Sequence, residues 1–215
     1  MATLSKASPR GASRPDAWLK PGLLLGGLVP LAALVVRAVR GTLGANPIAE
    51  ALNQLGLLAL IFLVASLAPT PLKSLFGLTW PMRVRRMLGL FAFFYASLHV
   101  LTYVALDRAG ELATLLEDVV KRPFITVGMA AFVLLVPLAI TSTAAMTKRL
   151  GFARWKRLHR LAYLAALLGV FHFVWRVKKD LSEPLVYGLI VLVLLALRIP
   201  ALVHPPARRP NASKM

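Results

Sequence analysis

The chain has 215 residues, of which 58% are hydrophobic and only 16% charged, with no cysteine and a mean hydropathy of +0.72. A soluble domain carries about a quarter charged residues, so this composition excludes a globular protein in water and makes the bilayer the solvent. Structural disulfides, cysteine-ligated zinc and iron–sulfur clusters are excluded as well, and the net charge of +18, which in a soluble chain would point to nucleic acid, has a topological explanation here.

A spanning helix needs ~20 mostly apolar residues, because it rises ~1.5 Å per residue across a ~30 Å core. Six such stretches are predicted, at residues 19–39, 48–68, 88–106, 124–146, 158–175 and 184–203. The first carries Pro30 at its middle and Arg37 near its end, where a long side chain snorkels to the headgroups. Lys6, Arg10, Arg14 and Lys20 ahead of it resemble the positive region of a signal peptide, but no small-residue cleavage site follows, so a retained first span is expected. In the fourth stretch Pro137 is expected to kink the helix, with Thr141, Ser142 and Thr143 re-satisfying backbone near its end. Trp80, Trp155 and Trp175 near span ends read as interfacial anchors. The expected organisation is an all-α six-helix transmembrane bundle over residues 19–203, with cytoplasmic tails at 1–18 and 204–215.

The basic residues choose the orientation. With the N-terminus inside, the inner segments hold Lys6, Arg10, Arg14, Lys20, Lys73, Arg83, Arg85 and Arg86. They also hold Lys148, Arg149, Arg154, Lys156, Arg157, Arg160, Arg208, Arg209 and Lys214. The outer ones hold only Arg37, Arg40, Arg108, Lys121, Arg122, Arg176, Lys178 and Lys179. The positive-inside rule therefore places both termini in the cytoplasm. The basic charge is mainly a topology signal, and no nucleic-acid partner is expected.

Four histidines remain for metal chemistry. Ionisable residues inside a span are costly and are functional candidates by default. His99 lies in the third span, ~20 Å from the inner boundary marked by Arg86 and ~12 Å from the outer one marked by Asp107. His172 lies in the fifth span, ~6 Å from its outer end. A lone intramembrane histidine commonly bonds a carbonyl or a neighbouring helix. Two at matching depth on different helices make the stronger case for a bis-histidine haem site, each offering a ring nitrogen to one axial position.

His159 stands thirteen residues before His172, ~20 Å away along the axis and about 140° around an ideal helix. It is expected to serve a second centre near the inner surface or to be an interfacial residue, not to share the same iron. His204, followed by Pro205 and Pro206, reads as a solvated helix-end residue. Ala96 and Gly169, each three residues before a candidate ligand, are small enough to let a flat macrocycle approach, or to serve ordinary helix packing. Tyr95 and Tyr103, one turn either side of His99, are candidates to donate to a cofactor or to pack in the core. The basic run from Lys148 to Arg160 suits haem propionates or a flavin phosphate, or is simply the inner-loop charge excess.

Three segments carry a family resemblance. They are the run Arg85–Arg–Met–Leu–Gly–Leu–Phe–Ala–Phe–Phe–Tyr–Ala–Ser–Leu–His99, the run Trp155–Lys–Arg–Leu–His159–Arg–Leu–Ala–Tyr163, and His172–Phe–Val–Trp175. Together they resemble the haem-binding membrane subunits MsrQ (YedZ), within the ferric-reductase-like transmembrane superfamily. The resemblance implies a six-helix, multi-pass inner-membrane protein of a Gram-negative bacterium that binds haem b and is associated with FMN. It implies electron transfer from quinol, or from a flavin reductase, to a periplasmic molybdopterin enzyme that repairs methionine sulfoxide in proteins. The chain would then be a redox subunit that carries electrons and does no substrate chemistry of its own.

By the same resemblance the haem ligands are His99, His172 and His159. Arg86, not histidine, stands thirteen residues before His99, which leaves one or two haems open. A self-contained ferric reductase or cytochrome b-type oxidoreductase is the alternative. Such enzymes attach a flavin and nicotinamide domain after the last span, and neither the twelve residues that follow here nor any G-x-G-x-x-G fingerprint supplies one. A channel or transporter is disfavoured because the span interiors hold no Asp or Glu.

Overall fold

A computed structural model of the chain describes residues 18–177 and 180–198; His204, Lys178, Lys179 and the two tails lie outside the described residues. Five helical stretches are long and apolar enough to cross a membrane. They are α1 (Leu19–Val39); α2 (Pro47–Leu67) continued by α3 (Pro69–Phe76); α4 (Pro81–Thr102) continued by a π-helical turn (Tyr103–Asp107); α6 (Pro123–Ile140); and α8 (Phe152–Leu158) continued by α9 (Leu161–Arg176). Two further short helices, α5 (Leu112–Lys121) and α7 (Ala144–Leu150), lie in the connections, and α10 (Ser182–Ala196) occupies the sixth predicted stretch. The chain is an all-α membrane protein. Over its described residues α10 has 15 residues, or ~22 Å of rise.

Local chemistry explains the boundaries. Pro47, Pro69, Pro81 and Pro123 each open a helix, where a missing amide costs nothing. Asn46 caps α2 by accepting from the Ala49 amide at 3.1 Å. The fourth span stops at Ile140, short of the expected residue 146. Thr141 and Ser142 turn their hydroxyls back onto the Pro137 and Leu138 carbonyls (2.6 and 2.7 Å), and Thr143 caps α7 by accepting from the Met146 amide. The fifth span starts earlier than expected, at Phe152, and breaks at His159 and Arg160 between α8 and α9. The ideal-helix angle between His159 and His172 therefore does not apply.

Two helix pairs form the frame: α2 lies along α4, and α6 lies along α9. Their shared core joins Leu60, Leu63 and Leu67 of α2 to Ala92 of α4, Leu135 of α6, Ala165 and Ala166 of α9 and Val191 of α10. The three alanines are fully buried, as small residues must be where backbones approach closely in lipid. Helix α1 is fastened to α4 through Gly27. A Cβ there would stand 2.5 Å from the Phe91 ring, and Tyr95 donates to the Gly27 carbonyl at 2.5 Å. The outward faces of α1 and α10 expose Leu25, Val29, Leu185, Leu189 and Leu192, the surface that a lipid environment requires.

Candidate functional site

Each helix pair carries one histidine, seated the same way. In the first pair, Nδ1 of His99 on α4 lies 2.9 Å from the Leu52 carbonyl of α2. One turn on, Gly56 faces the ring so closely that a Cβ would stand 3.1 Å from its Nδ1 and Cε1. In the second pair, Nδ1 of His172 on α9 lies 2.7 Å from the Phe124 carbonyl of α6. Gly128, again four residues on, would bring a Cβ within 2.7 Å of that nitrogen. A carbonyl only accepts, so in each neutral imidazole the proton sits on Nδ1 and the lone pair on Nε2. A bond of this kind, from the nitrogen that does not ligate, orients metal-binding histidines generally.

The two rings meet between the pairs, with centroids 6.3 Å apart and planes at 79°. A metal held by two imidazoles at about 2 Å each also puts the ring centres about 6 Å apart, since each nitrogen lies about 1 Å from its ring centre. Both histidines line a cavity of about 280 Å³ whose walls are otherwise mainly apolar, including Leu60, Phe132 and Leu135. Ala96 and Gly169 line it too. Two imidazoles whose Nε2 lone pairs are left over by the carbonyl bonds, lining one mainly apolar slot, are residues that would hold a planar metal cofactor.

At the α5 end the cavity becomes polar, lined by Arg108, Arg122, Arg176, Asn53 and Tyr103. Arg176, one turn beyond His172, donates to Asn53 Oδ1 at 2.6 Å. Tyr103, one turn beyond His99, donates to Asp118 of α5 at 2.5 Å. Asp118 also pairs with Arg108 (2.7 Å) and Arg122 (3.0 Å).

His159 lies elsewhere and is not part of this cavity. Its Nε2 is 3.1 Å from Thr141 Oγ1, and its ring stacks on Trp155 at 4.0 Å between centroids. Trp155 in turn donates to the Thr141 carbonyl at 3.0 Å, so it holds His159 against the end of α6 and is more than an interfacial anchor. One turn on, Tyr163 contacts the buried Arg198, whose guanidinium also donates to the Leu67 carbonyl.

The structure thus brings His99 and His172 together and sets His159 apart. Tyr95 turns away to Gly27, and Tyr103 reaches Asp118. Sequence reasoning missed Gly56, Gly128 and Asp118. The glycines repeat one spacing, four residues beyond a carbonyl that takes a histidine, but that pattern is visible only once the helix partners are known. Asp118 sits on a helix too short and polar to register as a span.

Known proteins similar to this chain identify its family. Residues 52–170 match the family model described as the ferric reductase like transmembrane component. The chain is 55% identical over 172 residues to the Protein-methionine-sulfoxide reductase heme-binding subunit MsrQ of Rhodospirillum rubrum, covering 80% of this chain and 83% of that one. It is 51% identical over 197 residues to the same-named protein of Deinococcus radiodurans, covering 91% and 97%. The same-named protein of Azospira oryzae is 41% identical over 203 residues, with 89% and 87% covered.

Proposed function

Since the chain belongs to the ferric reductase like transmembrane family, and within it to the MsrQ heme-binding subunits, we propose that His99 and His172 are the axial ligands of a haem b. The chain's role is membrane electron transfer for a methionine-sulfoxide reductase system. The observation that carries the ligand assignment is the pair of rings 6.3 Å apart, each pinned through Nδ1 by a carbonyl of the neighbouring helix. Haem, when bound, supplies a one-electron iron couple. The protein's own part is to fix both tautomers, to hold the rings with two glycine seats, and to exclude water with apolar walls.

The finer reading follows the charge pattern and the family. The chain spans the inner membrane six times with both termini in the cytoplasm, which puts the His99–His172 site nearer the periplasm. Its electron acceptor is a periplasmic molybdopterin-containing reductase. Its donor is quinol or a flavin reductase, and FMN and the His159 cluster belong to the input side. His159 serves there either a second haem or donor docking. Arg157 and Arg160 beside it, and the basic run before them, suit a flavin phosphate.

The test is the visible spectrum of the purified protein from haem-replete cells, oxidised and then reduced. A low-spin haem spectrum that changes on reduction supports the reading; a colourless preparation rejects it. Recovery of a periplasmic reductase on co-purification separates the subunit role from a stand-alone ferric-reductase-like or cytochrome b-type oxidoreductase.

A further inference from the structure

At the α5 end of the cavity stands a charged cluster that haem ligation alone does not require. Asp118 has a side chain only 9% exposed, on a helix whose other acid, Glu117, is 56% exposed. A carboxylate is rarely buried unless several partners satisfy it, and three do. Oδ2 accepts from the Tyr103 hydroxyl at 2.5 Å and lies 2.7 Å from Arg108 Nε, while Oδ1 lies 3.0 Å from Arg122 Nε. Asp107 adds a second carboxylate near Arg108 Nε, at 3.4 Å.

Two features give the cluster a direction. Asp118 meets both guanidiniums at Nε, one with each carboxylate oxygen, and each guanidinium carries five N–H donors, more than a single carboxylate oxygen takes up. Arg108 and Arg122 also line the same cavity as His99 and His172, and Arg176 joins them there, tied to Asn53. Three guanidiniums against the carboxylates of Asp107 and Asp118 leave the mouth of an apolar slot positive. A π-helical turn, a device common at functional sites, carries α4 from Tyr103 to Asp107 at this end.

We propose that Arg108, Arg122 and Arg176 bind the carboxylates of the cofactor held by His99 and His172, and that Asp118 is the positioning residue that fixes Arg108 and Arg122 for them. The assignment rests on the haem reading above and adds the residues that set the cofactor's in-plane orientation. The ligand chemistry is a flat macrocycle with two carboxylates at one edge. A lipid phosphate would use the same arginines, and the test separates the two.

The full-length chain in lipid nanodiscs, prepared from haem-depleted cells, is loaded with haem or with haem dimethyl ester, which lacks the negative charges. The rate of loss to a soluble haem acceptor is then measured for each. In the wild type the ester is expected to leave roughly tenfold faster, the effect of removing one charge-assisted hydrogen bond. In Arg108→Gln/Arg122→Gln and in Asp118→Asn the ester-to-acid ratio should fall to within about twofold, with Arg122→Lys intermediate. Because both rates come from one protein, a variant that merely loosened the fold would speed both and keep the ratio, which would overturn the positioning role. Equal rates in the wild type, or a ratio unchanged in the double variant as a lipid-binding rim requires, would overturn the carboxylate site. If Asp118→Asn fails to fold, Arg122→Gln alone decides by the same ratio. Absence of a low-spin spectrum in the wild type would instead overturn the haem reading beneath it.

Discussion

A Cβ on Gly128 would stand 2.7 Å from Nδ1 of His172, and that nitrogen is already held by the Phe124 carbonyl at 2.7 Å. The ring therefore has nowhere to retreat without breaking its bond. Gly56 stands in the same relation to His99, at 3.1 Å and with the Leu52 carbonyl behind the ring. The two histidines are fixed by the backbone of other helices, which allows them to face each other where the cavity walls are mainly apolar.

Gly128→Ala is accordingly expected to lower haem affinity by roughly tenfold, the scale seen when the group orienting a metal ligand is removed, and Gly56→Ala by less. Haem-to-protein absorbance ratios of the two purified variants check the order. Full haem content in Gly128→Ala would mean that α6 shifts freely and that the seat is not tight.

His159→Ala is expected to slow reduction of the haem by quinol or flavin donors while leaving its dithionite-reduced spectrum intact. The basis is separation: His159 lies outside the cavity and is bonded to Thr141. Stopped-flow reduction with each donor makes the comparison. Normal donor-driven rates reject the input role; disappearance of the haem spectrum would tie His159 to the first site.

The five long apolar helices were readable from the sequence because apolar runs of ~20 residues have few other uses, and counting rise per residue put His99 and His172 in the same half of their spans, where the structure brings their rings together. The end of the fourth span was misplaced because Thr141 and Ser142 compete for backbone groups, which hydropathy does not register. The break at His159 and the role of Trp155 depend on packing against the end of α6. The seats at Gly56 and Gly128 depend on which helix lies against which, information that one sequence does not carry. The helix holding Asp118 is amphipathic and ten residues long, so a search for spans passes over it.

Tyr95→Phe removes a buried hydrogen bond to the Gly27 carbonyl beside Pro30 while keeping the ring in its aromatic cluster. It is expected to cost about 1 kcal/mol of stability with no change in the haem spectrum. Thermal unfolding in detergent, followed with and without haem, measures both. A spectral shift would place Tyr95 against the cofactor.

The chain has no cysteine, so single cysteines report topology without background. Glu117→Cys on α5 is expected to react with a membrane-impermeant maleimide in intact spheroplasts, and Lys156→Cys on α8 only after lysis. The reverse pattern would invert the orientation read from the basic residues.

The proposed pairing of His99 and His172 about one haem is tested by the reduced-minus-oxidised visible spectrum of His99→Ala and His172→Ala beside the wild type. Bis-histidine ligation fails when either axial ligand goes. Each variant should therefore lose the same low-spin bands, whatever signal His159 contributes. An unaltered low-spin spectrum in either variant would contradict the pairing.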